Sequence, residues 1–521
     1  MNMNAIFHAE RRWMSIVLVI LMTSALLLQG CQSATPAPTE APSQAPSAYN
    51  GTLRVAMQPL VQTDPATLSS DPEVFVANHI YDYLVDVTPA NTIAPRLATE
   101  WTVSDDGLEY VFTLASGVTF HDGSAFSAND VVWTFDRLRN PDSGFPTVNL
   151  YQNIAKIEAT GDLEVTFTLS QPNPFFLFDL SDNHALVIKT DTQDFTKFNG
   201  TGPFKLVSYS PEDRIEMEAN KGYFIDGQPK LAGLEVIFFN DQTAMVDALE
   251  SGDVDLTMAF STDLYLRLEN VPGVTRLETP TNMFDVVRLR SDRAPGNDPR
   301  VIQAMKLAID RQAVYQLVMP GFGEIGRDSP IGPMYTQYFE SLDLPAKDVA
   351  KARDLLAQAG YPDGLKLDFH TPDTGNRPQL AVVLKDQWAE VGIDVNVMVE
   401  PESVYYGDDG WMEVDLGITG WGSRPYPQFY LDMMLACDAE WNESHFCDSE
   451  FDGYVKTAST TLDEKVRADA YLSIQRLLLD RGPIIIPYFY TQVGAISDNF
   501  QGFELKAFSG RSDVRNVSPV D

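Results

Sequence analysis

Positive charge is scarce in this chain, and so is cysteine. Lysine and arginine number 37 against 73 aspartates and glutamates, which gives a formal net charge of −36 over 521 residues. A surface of that sign repels polyanions and argues against a nucleic-acid partner. It favours solubility and can steer cationic solutes, but it names no ligand. The three cysteines, Cys31, Cys437 and Cys447, are too few for a disulfide scaffold. The six histidines (His8, His79, His121, His184, His370, His445) are scattered, and none falls in a His-Glu-x-x-His pattern. A Walker-type phosphate loop and a Gly-x-Ser-x-Gly nucleophile elbow are also missing. The string Gly321-Phe-Gly-Glu-Ile-Gly326 has dinucleotide-loop spacing, but it follows a predicted helix rather than a strand. Pro330 and Pro333 then interrupt any helix after it, so it reads as a chance match. Carboxylate pairs carry no information in so acidic a chain. Non-catalytic solute binding without cofactor or metal is therefore the leading expectation, and a secreted hydrolase with dispersed residues is the competing class.

Long apolar runs are confined to the N-terminus. Arg11 and Arg12 precede the stretch Met14–Leu28, the charged and apolar regions of a secretory signal. Leu28-Gln-Gly-Cys31 then has the form of a bacterial lipobox, which makes Cys31 the expected lipid attachment site and 1–30 the signal peptide. A cleaved signal with an incidental cysteine and a signal anchor are the competing readings, although the run is short for a spanning helix. Residues 31–49 carry Pro36, Pro38, Pro42 and Pro46 among Ala, Ser and Thr, too little apolar surface to offset ordering entropy. They are predicted to form an extended tether. The chain is thus expected outside the cytoplasm, on the outer face of the cytoplasmic membrane, held there by lipid.

The remaining length suffices for two or three domains with large cores. Gly51–Met57 alternates as a strand. Two alternating runs around Asp105-Asp-Gly107 and two more around Thr160-Gly-Asp162 predict hairpins. Ser127 with Asp130 three residues on predicts the capped start of a helix through Leu138, and Asp241 caps another at 243–249. Asp298–Asp310, 350–359, 379–391 and a long helix over 462–480 show helical periodicity; the strands 365–370 and 393–400 bracket one of them, and 484–490 is apolar and extended. Strand–helix–strand order of this kind predicts a mixed sheet flanked by helices. In an exported chain Cys437 and Cys447, ten positions apart, pair naturally as a disulfide. A metal site using Cys437, His445 and Cys447 lacks a second Cys-x-x-Cys or a His pair at ligand spacing.

The stretch Pro95-Arg-Leu-Ala-Thr-Glu-Trp through Gly117-Val-Thr-Phe-His-Asp-Gly to Leu138 resembles the extracellular solute-binding proteins of family 5, the oligopeptide-, dipeptide- and nickel-binding components of ABC importers. Gly200-Thr-Gly-Pro-Phe204, Ala248–Asp255, Asp298–Ala304, Ala308–Arg311, Ala359–Gly364, Gly392–Val395 and Gly482–Pro487 continue the likeness in register. The resemblance implies an α/β, periplasmic-binding-protein-like type II fold of two lobes around a cleft plus an extra domain. Lobe I would comprise 50–84, 200–288 and 488–521, the extra domain 85–199, and lobe II 289–487. It further implies a monomeric receptor that captures a small solute, peptide by default, for an ABC permease and ATPase.

One departure stands out. Family members that bind peptides follow a Gly-Trp, three residues after the Trp, with an Asp that pairs with the peptide ammonium. Here that position, counted from Trp421, is Arg424. A guanidinium repels an ammonium and offers a fork to a carboxylate or phosphate, or donors to sugar hydroxyls. This moves weight from free peptides toward oligosaccharides or anionic conjugates. An ion pair between Arg424 and a neighbouring acid, or a one-residue loop shift, is the competing reading. The candidate ligand contacts are Trp421, Arg424, Thr419, Trp441, Asn442, Tyr426, Tyr405, Met57, Gln58 and Asn282, with Tyr406 and Phe429 as further aromatics near the loop. Each aromatic has an equally simple role in a core.

Overall fold

A computed structural model of the chain describes residues 50–88, 91–407 and 410–520. The segments expected as signal and tether, with Cys31, lie outside the described residues. Among those described, no helix is long and apolar enough to cross a membrane.

Two long strands organise the fold. Val274–Leu289 and Tyr488–Ser497 run antiparallel, and between them they belong to both halves of one large mixed sheet. On one side the sheet continues through Leu256–Met258, Thr52–Met57, Gly233–Phe238, Arg214–Ala219 and Phe204–Ser210. On the other it continues from Val274–Leu289 through Leu416–Trp421 and Leu365–Pro372 to Ile393–Glu400. A further partner is gained at a β-bulge, beyond which Phe284 still pairs with Phe489. Val274–Pro280 pairs with Thr491–Ser497, the register slips between Pro280 and Phe284, and Phe284–Leu289 then pairs with Leu416–Trp421. Separate apolar cores flank this point. Leu53, Val55, Leu234 and Val236 belong to one core; Leu384, Trp388, Ile393 and Ile418 belong to another. A sheet shared by two cores, with an irregularity where it passes between them, is the architecture of two lobes on hinge strands.

The extra domain is a four-stranded antiparallel sheet, ordered Ala98–Val103, Glu109–Leu114, Glu164–Leu169, Ile154–Gly161, with the helix Ala128–Leu138 against it. That helix starts where the sequence says it should. The Ser127 amide donates to Asp130 Oδ2 at 2.9 Å in a capping box. Val131, Phe135 and Leu138 then fall on one face and are wholly buried, each contributing about 1.5–3 kcal/mol of burial. Aspartates cap other helices in the same way: Asp241 accepts from the Ala244 amide and Asp298 from the Arg300 amide. The long helix expected over 462–480 is observed as Glu464–Arg481, preceded by a separate helix, Ser449–Thr460, that sequence periodicity missed. Gly321–Gly326 forms no phosphate loop. Glu324–Ile325 pairs with Tyr488 and Phe489, and the Gly326 amide donates to the Pro487 carbonyl at 2.9 Å.

Gly200-Thr-Gly-Pro-Phe204 marks the chain's return from the extra domain to lobe I, and it owes its glycines to a close approach. A Cβ on Gly200 would stand 2.0 Å from the Ile80 carbonyl oxygen, and one on Gly202 would stand 2.6 Å from the Ile80 carbonyl carbon. Between them Thr201 donates to Asp82, which also accepts from Arg96 and Tyr223, so the crossing is fixed by a buried polar cluster. Because backbone on both sides leaves little room to give, Gly200→Ala is expected to destabilise the fold by about 3 kcal/mol. Denaturant unfolding should show the loss; unchanged stability would mean the contact is looser than drawn.

Candidate functional site

An open-sided cavity with about 860 Å³ of space, the open solvent at its mouth included, lies where lobe I, the extra domain and lobe II meet. Lys506, Phe508 and Arg511 border it from the C-terminal segment, and Val87, Thr88, Phe178, Asp179 and Asp182 from the extra domain. Ser423–Tyr426 and Phe429 close it from lobe II. Four segments more than 70 residues apart from one another in sequence converge there.

The lobe II wall begins at the end of strand Leu416–Trp421. The loop beyond it is tied to the hinge bulge. The Ser423 hydroxyl accepts from the Asn282 amide at 3.2 Å, and Tyr430 donates to the Gly422 carbonyl at 2.7 Å and to the Asn282 carbonyl at 3.2 Å. The Arg424 carbonyl accepts from Tyr335 at 2.8 Å and from the Asn282 side chain at 3.4 Å. The Arg424 backbone is thereby fixed while its head reaches the cavity. The guanidinium lies over the Phe429 ring at 4.5 Å and donates to the Ser423 carbonyl at 3.2 Å. Among the described residues, no carboxylate comes within 4.0 Å of it.

Tyr426 spans the cleft. Its hydroxyl donates to the Asp179 carboxylate of the extra domain, and its ring stacks on Phe175 at 4.7 Å with planes 8° apart. Asn91 donates to the Pro425 carbonyl at 2.5 Å beside it. These contacts hold the extra domain against lobe II at the cavity edge.

The acids of the cavity are already engaged. Burial drives the Asp179 carboxyl up to about 7, against the donors Tyr426 and Asn173, so near neutrality it carries a proton much of the time. Asp182 shares burial but faces His184. The ring's Nδ1 lies 2.6 Å from Asp182 Oδ1 and its Nε2 2.8 Å from the Leu68 carbonyl, so both nitrogens meet acceptors. Burial alone would raise the Asp182 carboxyl, but His184 outweighs it and holds the group at about 2. For His184 burial works downward, and Asp182 reverses it to a net rise.

The other candidate residues lie away from this cavity. Trp421 is 7 % exposed and packs within lobe II between Tyr430 and Trp441. Thr419 donates to Glu443 at 2.6 Å, and Glu443 in turn accepts from the buried Arg288 at 2.9 Å. Tyr405 is fully buried with its hydroxyl 3.4 Å from Thr419, and Tyr406 packs against it. Asn442 organises its own loop, donating to the Ala436 and Phe446 carbonyls and accepting from Ser444. Trp441, on the same loop, is 38 % exposed. Met57 is buried in the lobe I core and Gln58 faces solvent. Asn282 is buried at the hinge, holding the Arg424 loop rather than facing the cavity. Cys437 and Cys447 form a disulfide that closes the Trp441–Asn442 loop. Asp452 caps the Cys437 amide and His445 turns to the Met412 carbonyl, so no thiolate site is assembled there. Lys506, Asp179, Asp182, Phe178 and Phe508 line the cavity but had no motif to mark them.

The pH dependence of the Asp179 clasp has a definite sign. A folded-state pKa raised from 3.8 to about 7 means that the folded protein keeps a proton that the unfolded chain releases. Stability from this group is full below about pH 4 and lost as pH rises through about 7. Asp179→Asn is expected to remove that part of the decline, so the stability difference between wild type and variant should change across pH 4–7. Asp432, whose buried carboxyl is likewise raised, to about 6, remains in both proteins and cancels. Parallel denaturation profiles would show that Asp179 does not titrate in this range.

Comparison with known proteins accords with this geometry. Residues 92–442 match the model of the bacterial extracellular solute-binding proteins, family 5. Heme-binding protein A of Haemophilus influenzae is 26 % identical over 529 residues, covering 94 % of this chain and 96 % of the relative. Di/tripeptide-binding protein 1 of Pseudomonas aeruginosa is 28 % identical over 467 residues, covering 81 % and 85 %. The glutathione-binding protein of Salmonella paratyphi A is 26 % identical over 468 residues, covering 86 % and 91 %. Among solved structures, an ABC transporter-associated periplasmic binding protein of Helicobacter pylori in complex with the peptide STSA superposes with a TM-score of 0.75 at 25 % identity, covering 90 % of this chain and 98 % of that one. With the family model spanning well over half its length, and two lobes and an extra domain meeting at a shared cavity, the chain belongs to the bacterial extracellular solute-binding proteins of family 5.

Proposed function

We propose that this protein is the solute receptor of an ABC importer, held on the outer face of the cytoplasmic membrane by lipid on Cys31, and that it delivers a captured peptide-like solute to a permease and its ATPase. It acts as a monomer and changes no bonds. The relatives named for glutathione and for di- and tripeptides, and the relative solved with a bound peptide, support the solute class. In this reading lobe I is 50–84, 200–288 and 488–521, the extra domain 85–199 and lobe II 289–487.

The observation that carries the reading is a cavity bordered by three separate parts of the fold, with a cation fixed at its wall but left without a carboxylate partner. Arg424 contacts the solute in place of the acid that would hold a peptide's ammonium. Tyr426 and Phe429 supply aromatic surface beside it at low entropic cost. The same arginine favours a second reading, an oligosaccharide or anionic conjugate, because its donors suit hydroxyls and anions alike.

Binding without turnover is directly measurable. A solute at a hundredfold excess over its Kd should stabilise the protein by about 2.7 kcal/mol, bind one per chain in native mass spectrometry and be recovered unchanged. Calorimetry of wild type against Arg424→Asp tests the assigned contact. The variant is expected to gain affinity for peptides with a free ammonium and to lose affinity for acidic solutes. Equal preference for free peptides in both proteins would overturn the role of Arg424, and consumption of the solute would overturn the receptor reading.

A further inference from the structure

The cavity holds a second cation that no sequence motif marked. Lys506 comes from the C-terminal segment, far in sequence from Arg424, and it lines the same space. Its ammonium donates to the Val87 carbonyl at 3.2 Å, and among the described residues no carboxylate lies within 4.0 Å of it. The acid nearest in charge terms, Asp86, is taken by three other partners: Arg511, at 2.5 Å, Arg96, and Arg515 at 3.6 Å. Arg511 is a cavity residue whose charge is thus already answered, and its guanidinium lies 3.9 Å over the Tyr83 ring.

The charge count inside the cavity is therefore the reverse of the chain as a whole. Asp182 is matched by His184, Asp179 is held by Tyr426 and Asn173, and Arg511 is matched by Asp86. Arg424, which acts on Asp182 only beyond ion-pair distance, and Lys506 remain without a carboxylate in direct contact, in a protein of net charge −36. Buried or half-buried cations without partners are costly unless something arrives to pair with them. Burial lowers the affinity of Lys506 for its proton, with Asp86 opposing, which is the direction expected of a cation waiting for a counter-charge. Around the two cations the walls are apolar, with Phe178, Phe429, Phe508, Leu150 and Met334.

We infer that Arg424 and Lys506 form an anion clamp across the cleft, so that the solute is a molecule with an apolar body and a carboxylate-type anionic end held between them. The inference rests on the receptor reading and narrows its substrate class. Arg424 supplies a planar fork and Lys506 a point charge, each from a different wall, so an anion seated between them draws the walls together. Closure then depends on the anion, and solutes of otherwise equal size that lack it do not complete the site.

A dipeptide library of apolar side chains in four forms tests this: free, N-acetylated, C-amidated, and blocked at both ends. Thermal shift and calorimetry on the full-length protein are expected to find binding by the free and N-acetylated forms, which keep the carboxylate, and at least tenfold weaker binding by the two amidated forms. Lys506→Met should weaken the carboxylate-bearing forms by about tenfold or more, as removal of one member of a desolvated charge pair does, and Lys506→Arg should restore most of it. The melting temperature of each unliganded variant controls for folding; should Lys506→Met fail to fold, Lys506→Gln and the amidated ligands on wild type give the same comparison. Binding of amidated forms as tight as of free carboxylates, or unchanged affinity in Lys506→Met, overturns the clamp and leaves the receptor reading standing. If none of the four forms binds, both readings fail for peptide-like solutes.

Discussion

Everything that the cleft does depends on how two antiparallel strands cross from one core to the other. A regular ladder through Val274–Leu289 and Tyr488–Ser497 would make one stiff sheet. The slip in register between Pro280 and Phe284 breaks the ladder at the crossing, and side chains take over the hydrogen bonds left there. Thr281 donates to the Tyr490 carbonyl at 2.6 Å and accepts from the Met283 amide at 3.0 Å, so the bulge is held by its own threonine. Immediately beyond it, buried Asp285 accepts from Tyr488 at 2.8 Å, from Tyr490 at 2.5 Å and from Arg377 at 3.0 Å. The irregularity is thus a polar joint between two apolar cores, with the buried Asn282 Oδ1 left without a hydrogen-bond partner.

The same joint fixes the cavity wall. Asn282, the middle residue of the bulge, engages Ser423, the Arg424 carbonyl and Tyr430. Any change of angle at the hinge is felt by the loop that presents Arg424, and a force on Arg424 is felt at the hinge. Tyr426, two residues on, grips the extra domain through Asp179 and Phe175. One loop of five residues, Gly422–Tyr426, therefore joins the hinge, the cavity and the domain opposite. This gives a physical route by which filling the cavity and closing the cleft become a single event.

How far the sequence could be read follows from how local each determinant is. Capping is local: Ser127 with Asp130, Asp241 and Asp298 announce their helices within three residues, and each is found capping. The hairpin turns at Gly107 and around residues 160–162 are equally local. Arg424 stands out because the family resemblance singles out the third position after Trp421. Trp421, Tyr405 and Asn442 show the limit, since an aromatic or amide in a loop reads the same whether it faces a cavity or packs beneath one, and these three pack beneath. Lys506, Asp179 and Asp182 were invisible for another reason. They meet Arg424 only because the chain leaves lobe I for the extra domain, returns at Gly200–Phe204 and comes back once more at its end. No spacing along the sequence encodes that meeting.

The central claim is that a solute bridges the three walls of one cavity and draws them together. Hydrogen–deuterium exchange of the full-length protein, with and without a saturating bound solute, tests it most directly. The account expects exchange to slow together in 178–183, 423–426 and 506–511, and at the hinge bulge 281–283. Slowing confined to one of these segments, or absent from the bulge, would contradict it.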